Sequence, residues 1–281
     1  MTQVVFKDGK YQATINGKVV KRTKREHMDY VLRKAGLASN AVEATQPTKC
    51  EFSPLERYEF IRKFVHLTAR GIINSTVITG SGGIGKTTAV CKALAELGLK
   101  EDTPDQPMGD FIVIRGFSTP RALYDTLYQY KDRIVVLDDA DGIFKDPTAA
   151  NIIKAALDDK KTRVISWGTS REDGDTPARF TYDGQMIFVS NLSINQFPQA
   201  IVSRSQKVDL TLTVEEKVEV IESVFNQVEG STQAKEEVLS FVKKYAKDAK
   251  DLNIRSATQL LVLRNEFGVD WERIAKYSFC A

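Results

Sequence analysis

The sequence predicts an α/β protein in which a parallel sheet is flanked by helices and followed by a helical C-terminal domain. Three observations support this prediction. Apolar runs typical of strands alternate with helical segments between residues 53 and 212, which is the pattern of parallel strands joined by crossover helices. A glycine-rich loop follows the first of these strands. Beyond residue 212 the strand pattern stops and helical patterns continue.

The composition excludes several classes of protein. The 281 residues are 42% hydrophobic and 27% charged, and their formal charge of +3 is too small to indicate a nucleic-acid partner by itself. No apolar run approaches the roughly 18 residues that a membrane span needs, and the N-terminus lacks the apolar core of a signal peptide. Three scattered cysteines indicate reduced thiols rather than a structural metal site. We therefore expect a cytoplasmic protein without membrane contact.

Residues 1–50 form a separate N-terminal extension in this interpretation. Asn16-Gly17 lies between two β-prone runs, which is a strong hairpin signal. The basic segment Lys21–Gly36 predicts a helix, and the polar residues 39–48 predict a linker. The extension contains a cluster of basic residues at Lys18, Lys21, Arg22, Lys24 and Arg25. Contacts to nucleic-acid phosphates would use such a cluster, but a solvated face or an acidic protein partner explains it equally well.

Residues 51–212 supply the predicted α/β domain. Its first helix begins after Ser53, because a capping residue is followed by proline and then by Glu56, and it continues to about Ala69. Later helices begin after Thr119 and Asp146, each of which precedes a proline. The five predicted strands are Thr76–Thr79, Phe111–Arg115, Arg133–Leu137, Met186–Ser190 and Val208–Leu212.

Residues 213–281 are predicted to form a helical domain. Thr213 and Glu216 make a capping box, and three or four helical segments follow to about Lys276. The small N-terminal hairpin-plus-helix extension, the sheet domain and this helical domain complete the predicted architecture.

The glycine-rich loop predicts a site for ATP. Residues 80–87 match G-x-x-x-x-G-K-[ST] at every fixed position. Glycines let the backbone N–H groups approach phosphate oxygens, Lys86 would reach the β and γ phosphates, and the Thr87 hydroxyl would bind Mg²⁺. The plain alternative is a flexible turn between a strand and a helix. The predicted nucleotide-binding residues are Gly80, Ser81, Gly82, Gly83, Ile84, Gly85, Lys86, Thr87 and Thr88.

An acid pair follows the third predicted strand, at Asp138 and Asp139. Asp138 would contact Mg²⁺, usually through water, and Asp139 would polarise the water that attacks the γ-phosphate. The alternative is a solvated acidic strand end before the turn at Gly142.

The motifs VITGSGGIGKTT at residues 77–88 and IVVLDDAD at residues 134–141, with the helical C-terminus, resemble the Walker A and Walker B motifs of AAA+ ATPases. The resemblance covers residues 53 to 281. It implies that Asn191 acts as sensor 1, which orients the attacking water. The family usually has glutamate where Asp139 stands, so slow turnover is expected.

Two arginines also resemble catalytic positions of the family. Arg204, in a Ser-Arg element similar to that of clamp loaders, would be an arginine finger that reaches the γ-phosphate of a neighbouring subunit. Arg255 resembles sensor 2 and would contact the γ-phosphate in its own chain. Each of these roles has a plain alternative. Arg204 would be an ordinary surface arginine, and Arg255 would cap or pair at the start of a helix. Asn191 would satisfy backbone groups at the end of a strand.

The resemblance implies an oligomeric ATPase, a hexameric ring or spiral, that uses ATP and Mg²⁺ to load or remodel a macromolecule in DNA replication or recombination. Compact chains of this kind are similar to phage and mobile-element proteins, which would place the chain in a host cytoplasm. One alternative is a protein unfoldase that threads a polypeptide past Phe117. Others are a slowly hydrolysing ATP-dependent assembly switch and a signalling ATPase of the oligomerisation-switch type, which also has GGIGKTT-like and VVLDD-like motifs.

Overall fold

A computed structural model describes residues 5–7, 10–15, 18–22, 50–116, 119–168 and 176–280. The chain divides into two compact units, residues 1–48 and residues 49–281. The predicted linker at 39–48 and the residues Lys24, Arg25 and Phe117 lie outside the described parts.

The first unit contains a three-stranded antiparallel sheet. Its strands are β1 (Val5–Lys7), β2 (Lys10–Ile15) and β3 (Lys18–Arg22), in the spatial order β1-β2-β3. Ile15 lies opposite Lys18, so β2 and β3 form the predicted hairpin, although Asn16 and Gly17 themselves are outside the described residues.

The predicted start of a helix at Lys21 is wrong. Lys21 pairs with Gln12 and Arg22 pairs with Tyr11 in the β2–β3 ladder, because the β-prone run that begins at Lys18 extends through these two basic residues. The remainder of the predicted helix lies outside the described part of the chain.

The second unit is built on a parallel five-stranded sheet, as predicted. Its strands are β4 (Ser75–Gly80), β5 (Phe111–Arg115), β6 (Ile134–Asp138), β9 (Gln185–Ser190) and β10 (Gln206–Leu210). Their spatial order is β10-β4-β9-β6-β5, and every neighbouring pair is parallel. Strand β10 ends two residues earlier than predicted, because its pairing stops where Leu210 meets Gly80, the last residue of β4.

Helices cover both faces of this sheet. They are α1 (Pro54–Ala69), α2 (Lys86–Glu96), α3 (Pro120–Gln129), α4 (Pro147–Ala156) and the short α5 (Gln199–Val202). On one face, Ile61 of α1 and Leu94 of α2 pack with Ile78 of β4. On the other, Leu127 of α3 and Ile153 of α4 pack with Val77. These residues are fully buried, so the sheet is the centre of the core.

One small element was not predicted. Strands β7 (Val164–Ser166) and β8 (Arg179–Thr181) form an antiparallel pair between α4 and β9. The pair is held on α3 by Tyr124, whose ring contacts Phe180 and whose hydroxyl donates to the Pro177 carbonyl at 2.8 Å. Three-residue strands are too short for alternation to be read from sequence.

The C-terminal region is a bundle of four helices with its own core, which confirms the predicted C-terminal helices. The helices are α6 (Val214–Phe225), α7 (Thr232–Tyr245), α8 (Ile254–Phe267) and α9 (Trp271–Cys280). Phe225, Phe241 and Trp271 are buried together in this bundle. Among the described helices, none is both long and apolar enough to cross a membrane.

A buried ion pair fixes the start of this bundle to the sheet domain. Arg57 of α1 donates to Glu216 of α6 at 2.6 Å and to the Thr211 carbonyl at 3.1 Å. Both side chains are under 10% exposed, so the connection at residues 211–216 is anchored.

Candidate nucleotide-binding site

Most of the predicted site residues converge on one cavity at the carboxyl edge of the sheet. Because all five strands are parallel, the segments that follow β4, β5, β6 and β9 leave the sheet at the same edge. They surround a cavity of about 940 Å³. Its lining contains Gly82, Gly83, Gly85, Lys86, Thr87, Thr88, Arg115, Asp138, Asp139, Asn191 and Arg255.

The loop between β4 and α2 is held in a fixed shape. Gly85 precedes α2 with a φ of +85°, a conformation that glycine adopts without the penalty of a side chain. Ile84 points away from the cavity into the core, where it is 2% exposed, and its carbonyl accepts from the Tyr58 hydroxyl. Ile84 is therefore an anchor of the loop rather than part of the cavity wall.

Lys86 lies at the floor of the cavity. Its Nζ donates to the carbonyls of Gly80 at 2.9 Å and Ser81 at 2.7 Å, and to Oδ1 of Asn191 at 2.8 Å. Burial lowers the pKa of the Lys86 ammonium, and nearby carboxylates, led by Asp139 and then Asp138, oppose this shift. The arrangement keeps a cation next to the loop that would hold phosphates.

Thr87 and Asp138 place two side-chain oxygen atoms next to each other. The Thr87 hydroxyl donates to Oδ1 of Asp138 at 2.8 Å. Burial raises the pKa of Asp138, and the hydrogen bond from Thr87 acts in the opposite direction. Mg²⁺ prefers oxygen ligands and is commonly held by one or two carboxylates together with substrate phosphates. This hydroxyl–carboxylate pair fits that requirement.

Asn191 connects Lys86 to Asp139. Its Oδ1 accepts from Lys86, while its Nδ2 donates to Oδ1 of Asp139 at 2.8 Å. Asp139 has a φ of +52°, and its N–H donates to the Val189 carbonyl at 3.0 Å. The turn after β6 therefore directs this carboxylate into the cavity beside the end of β9.

The two predicted arginines lie in different places. Arg255, the second residue of α8, lines the cavity. The residue before it, Ile254, donates its N–H to the Gly83 carbonyl at 3.1 Å, so the helical bundle touches the loop directly. Arg204 does not line the cavity. Its guanidinium donates to the Ala200 carbonyl at 2.9 Å, and its buried Nε has no hydrogen-bond partner.

The structure adds residues that the sequence reasoning missed. Arg115 lies opposite Asp138 in the β5–β6 register, with Nε 3.8 Å from Oδ2 of Asp138. The sequence did contain a signal for this contact. The predicted strands end at Arg115 and next to Asp138, so pairing the two strands in parallel with their ends aligned would have placed Arg115 beside Asp138. A second cavity, of about 590 Å³, lies beside the same loop, with Tyr58, Ile84, Val224 and Ile254 in its wall. No local signal connects these residues, which come from four separate segments of the chain.

The sheet order, the loop after β4, the acid pair after β6 and the helical bundle form the arrangement that the resemblance to AAA+ ATPases implies. The resemblance drawn from the motifs is confirmed at this level. No family model matches the chain. The chain is 27% identical over 244 residues to the "Uncharacterized 36.7 kDa protein in nrdC-mobD intergenic region" of Enterobacteria phage T4. The aligned region covers 78% of this chain and 72% of that protein.

Solved structures also show similarity to this chain. The replication initiator DnaA bound to AMPPCP and single-stranded DNA has a TM-score of 0.46 at 16% identity, over 82% of this chain and 66% of that chain. A mutant of Thermotoga maritima RuvB has a TM-score of 0.49 at 14% identity, over 79% of this chain and 68% of that chain. This chain spans only about two thirds of the length of these proteins.

Proposed function

We propose that this chain is an oligomeric AAA+ ATPase, which binds ATP with Mg²⁺ in the cavity at the carboxyl edge of the sheet and couples hydrolysis to loading or remodelling of a macromolecule. One observation carries the proposal. Lys86, Asn191 and Asp139 form a continuous hydrogen-bonded chain beside the Thr87–Asp138 pair. A cation, a polar orienting group, a free carboxylate oxygen and a metal-binding pair thus share one cavity.

The two cavities divide the parts of a nucleotide between them. The backbone of the loop and the N-terminus of the eleven-residue helix α2 provide N–H groups and a positive dipole end for phosphates. The second cavity presents apolar side chains of Val224 and Ile254 and the ring of Tyr58. Such a wall suits a flat base, so we place the adenine there.

The chemistry follows from the positions of the side chains. Mg²⁺, when bound at Thr87 and Asp138, supplies charge neutralisation on the phosphate oxygens. Lys86 exchanges its bond to Asn191 for the γ-phosphate. Asn191 then orients a water whose proton passes to Asp139 as the water oxygen attacks the γ-phosphorus. The bond from phosphorus to the β–γ bridging oxygen breaks, and ADP and phosphate are the products.

Arg204 supports an oligomeric catalyst. It lies outside the cavity of its own chain, and the Ser75 hydroxyl holds its backbone by donating to the Arg204 carbonyl at 3.3 Å. A neighbouring copy would receive this guanidinium at its γ-phosphate. Arginine fingers contribute about 10³–10⁵ in rate, so an isolated subunit would hydrolyse ATP slowly.

The macromolecule acted on is DNA or a replication protein in the favoured form of the proposal. The shorter Asp139 carboxylate favours one alternative, an assembly switch in which ATP binding builds an oligomer and hydrolysis is slow. The unfoldase alternative depends on Phe117, which lies outside the described residues.

Mixing two inactive variants tests the proposal. Arg204→Ala keeps its own cavity intact, whereas Asp139→Asn keeps its arginine but stalls hydrolysis. If Arg204 acts on a neighbouring subunit, a mixture of the two regains a substantial share of wild-type activity, because some interfaces combine an intact cavity with an intact finger. Arg273→Ala, an exposed arginine of α9, is the matched control and retains full activity. Absence of any regained activity in a mixture that forms mixed oligomers would refute the trans role, and an active Arg204→Ala protein alone would refute any role.

A further inference from the structure

The loop after β4 is the partition between the two cavities. Gly83 and Gly85 line both of them, together with Thr88, Lys92 and Arg255. A side chain on the second-cavity side of this partition can therefore act on backbone that faces the first cavity, without entering the first cavity itself.

Two hydrogen bonds hold carbonyl groups of this loop from the second-cavity side. The Tyr58 hydroxyl of α1 donates to the Ile84 carbonyl, and the Ile254 N–H at the start of α8 donates to the Gly83 carbonyl at 3.1 Å. Tyr58 and Ile254 both belong to the wall of the second cavity. Burial raises the pKa of Tyr58 to about 12, so its hydroxyl keeps its proton and remains a donor at neutral pH.

The same two hydrogen bonds set the direction of the N–H groups that follow these carbonyls. In a planar trans peptide, the carbonyl and the N–H of the next residue point to opposite sides. Holding the carbonyls of Gly83 and Ile84 on the second-cavity side therefore turns the N–H groups of Ile84 and Gly85 away from it. Within the described parts of the chain, neither of these N–H groups has a hydrogen-bond acceptor, so both are available to a ligand in the first cavity.

We propose that these two hydrogen bonds preset the loop for phosphates and that Tyr58 is a positioning residue, with its hydroxyl on the loop and its ring in the wall beside the base. One side chain thus connects the two halves of the nucleotide site. This inference rests on the proposed function, because it assumes phosphates in the first cavity. It adds that the loop is ordered before a nucleotide arrives, which removes an ordering cost from binding.

The expected effect follows from the size of one hydrogen bond. Without the Tyr58 hydroxyl, the loop populates several orientations, and the apparent dissociation constant rises as the inverse of the fraction that is competent to bind. The net free energy of a single hydrogen bond corresponds to about a five- to tenfold change in an equilibrium constant. Tyr58→Phe keeps the ring, so it should weaken any ligand that uses the loop by about this factor.

The test compares Mg-ATP with Mg-tripolyphosphate on the full-length protein, by calorimetry for ATP and by displacement of ATP for tripolyphosphate. Tripolyphosphate carries phosphates without a base, so it reports on the loop alone. Tyr58→Phe should weaken both ligands by the same factor. Tyr124→Phe is the matched control, because the Tyr124 hydroxyl also donates to a backbone carbonyl, that of Pro177 at 2.8 Å, and Tyr124 lines neither cavity. The control should bind both ligands as the wild type does.

A second variant tests the other hydrogen bond and applies equally if Tyr58→Phe does not fold, as judged by its thermal melting. Ile254→Pro removes the N–H, and proline suits the first position of a helix. Asn253 before it already has the extended backbone that a following proline requires, with φ of −159° and ψ of 176°. Ile254→Pro should weaken tripolyphosphate binding by about five- to tenfold, whereas Ile254→Val, which keeps the N–H, should not.

Several results would overturn the inference and leave the proposed function intact. Loss of ATP affinity alone in Tyr58→Phe would mean that the hydroxyl contacts the base. Unchanged affinity for both ligands in folded Tyr58→Phe, or unchanged tripolyphosphate affinity in folded Ile254→Pro, would mean that the hydrogen bonds only support the fold. Equal losses in Tyr124→Phe would indicate general destabilisation, and wild-type protein that binds ATP but no tripolyphosphate would show that the loop is not preset. Wild-type protein that binds neither ligand would instead refute the proposed function, and this inference with it.

Discussion

Gly83 offers the sharpest test of how the helical bundle is connected to the nucleotide site. Its φ is +71°, and a Cβ at this position would lie 2.7 Å from Cγ of Asn253. Asn253 is 4% exposed and caps α8 by accepting from the Ser256 N–H at 2.8 Å. Substitution of Gly83 with alanine must therefore strain the loop and displace this cap together.

The expected cost can be worked from these contacts. The left-handed backbone costs an alanine roughly 1–2 kcal/mol, loss of an N-cap costs about 1 kcal/mol, and a weakened Ile254–Gly83 hydrogen bond costs about 1 kcal/mol more. The free energy of unfolding of Gly83→Ala should fall by about 3–4 kcal/mol. Gly98→Ala is the matched control, because Gly98 has a φ of +78° with nothing within 4 Å of its added Cβ. It should lose only about 1–2 kcal/mol.

Urea denaturation measures both free energies, and calorimetry measures ATP binding by the same proteins. Gly83→Ala should bind ATP more weakly than the wild type, since the loop and the start of α8 move apart, whereas Gly98→Ala should bind it normally. Equal losses of stability in the two variants, with unchanged ATP affinity in both, would refute the reasoning that the bundle is held against the loop through Asn253.

Three further predictions concern the charged groups. Lys86→Ala should abolish ATP binding in calorimetry, whereas Asp139→Asn should bind ATP and release phosphate far more slowly; equal loss of binding would give Asp139 a different role. Burial raises the pKa of Asp138 in the folded protein above the usual value of an aspartate. The free energy of unfolding should therefore fall as the pH rises from the usual pKa of an aspartate to the raised pKa of Asp138. Asp138→Asn should therefore be more thermally stable than the wild type at neutral pH but not in acid, and it should lose Mg²⁺-dependent hydrolysis. A difference in melting temperature between the two proteins that stays constant across pH would contradict this. In urea denaturation the free energy of unfolding of Arg57→Ala should fall by about 3–5 kcal/mol, because the substitution leaves Glu216 buried without its partner. The double variant Arg57→Met, Glu216→Leu should recover most of that loss. A small loss in the single variant would show that the pair contributes little.

The helix starts could be predicted because their signals are local. The capping boxes of Ser53 and Thr213 form within four residues, and the structure has both. The strand order, by contrast, brings β4 between β9 and β10, which are more than one hundred residues further along the chain. Residue patterns carry no direct signal for such a pairing.

By itself, the sequence determined the glycine-rich loop, the acid pair and the alternation of strands and helices, because each depends on backbone conformations and neighbours within a few residues. Only the tertiary structure decided what surrounds them. The Arg57–Glu216 pair joins residues 159 positions apart, and the bridge from Lys86 through Asn191 joins residues 105 positions apart. Contacts of this kind follow from packing of the whole chain, in which burial and parallel pairing bring distant segments to one edge.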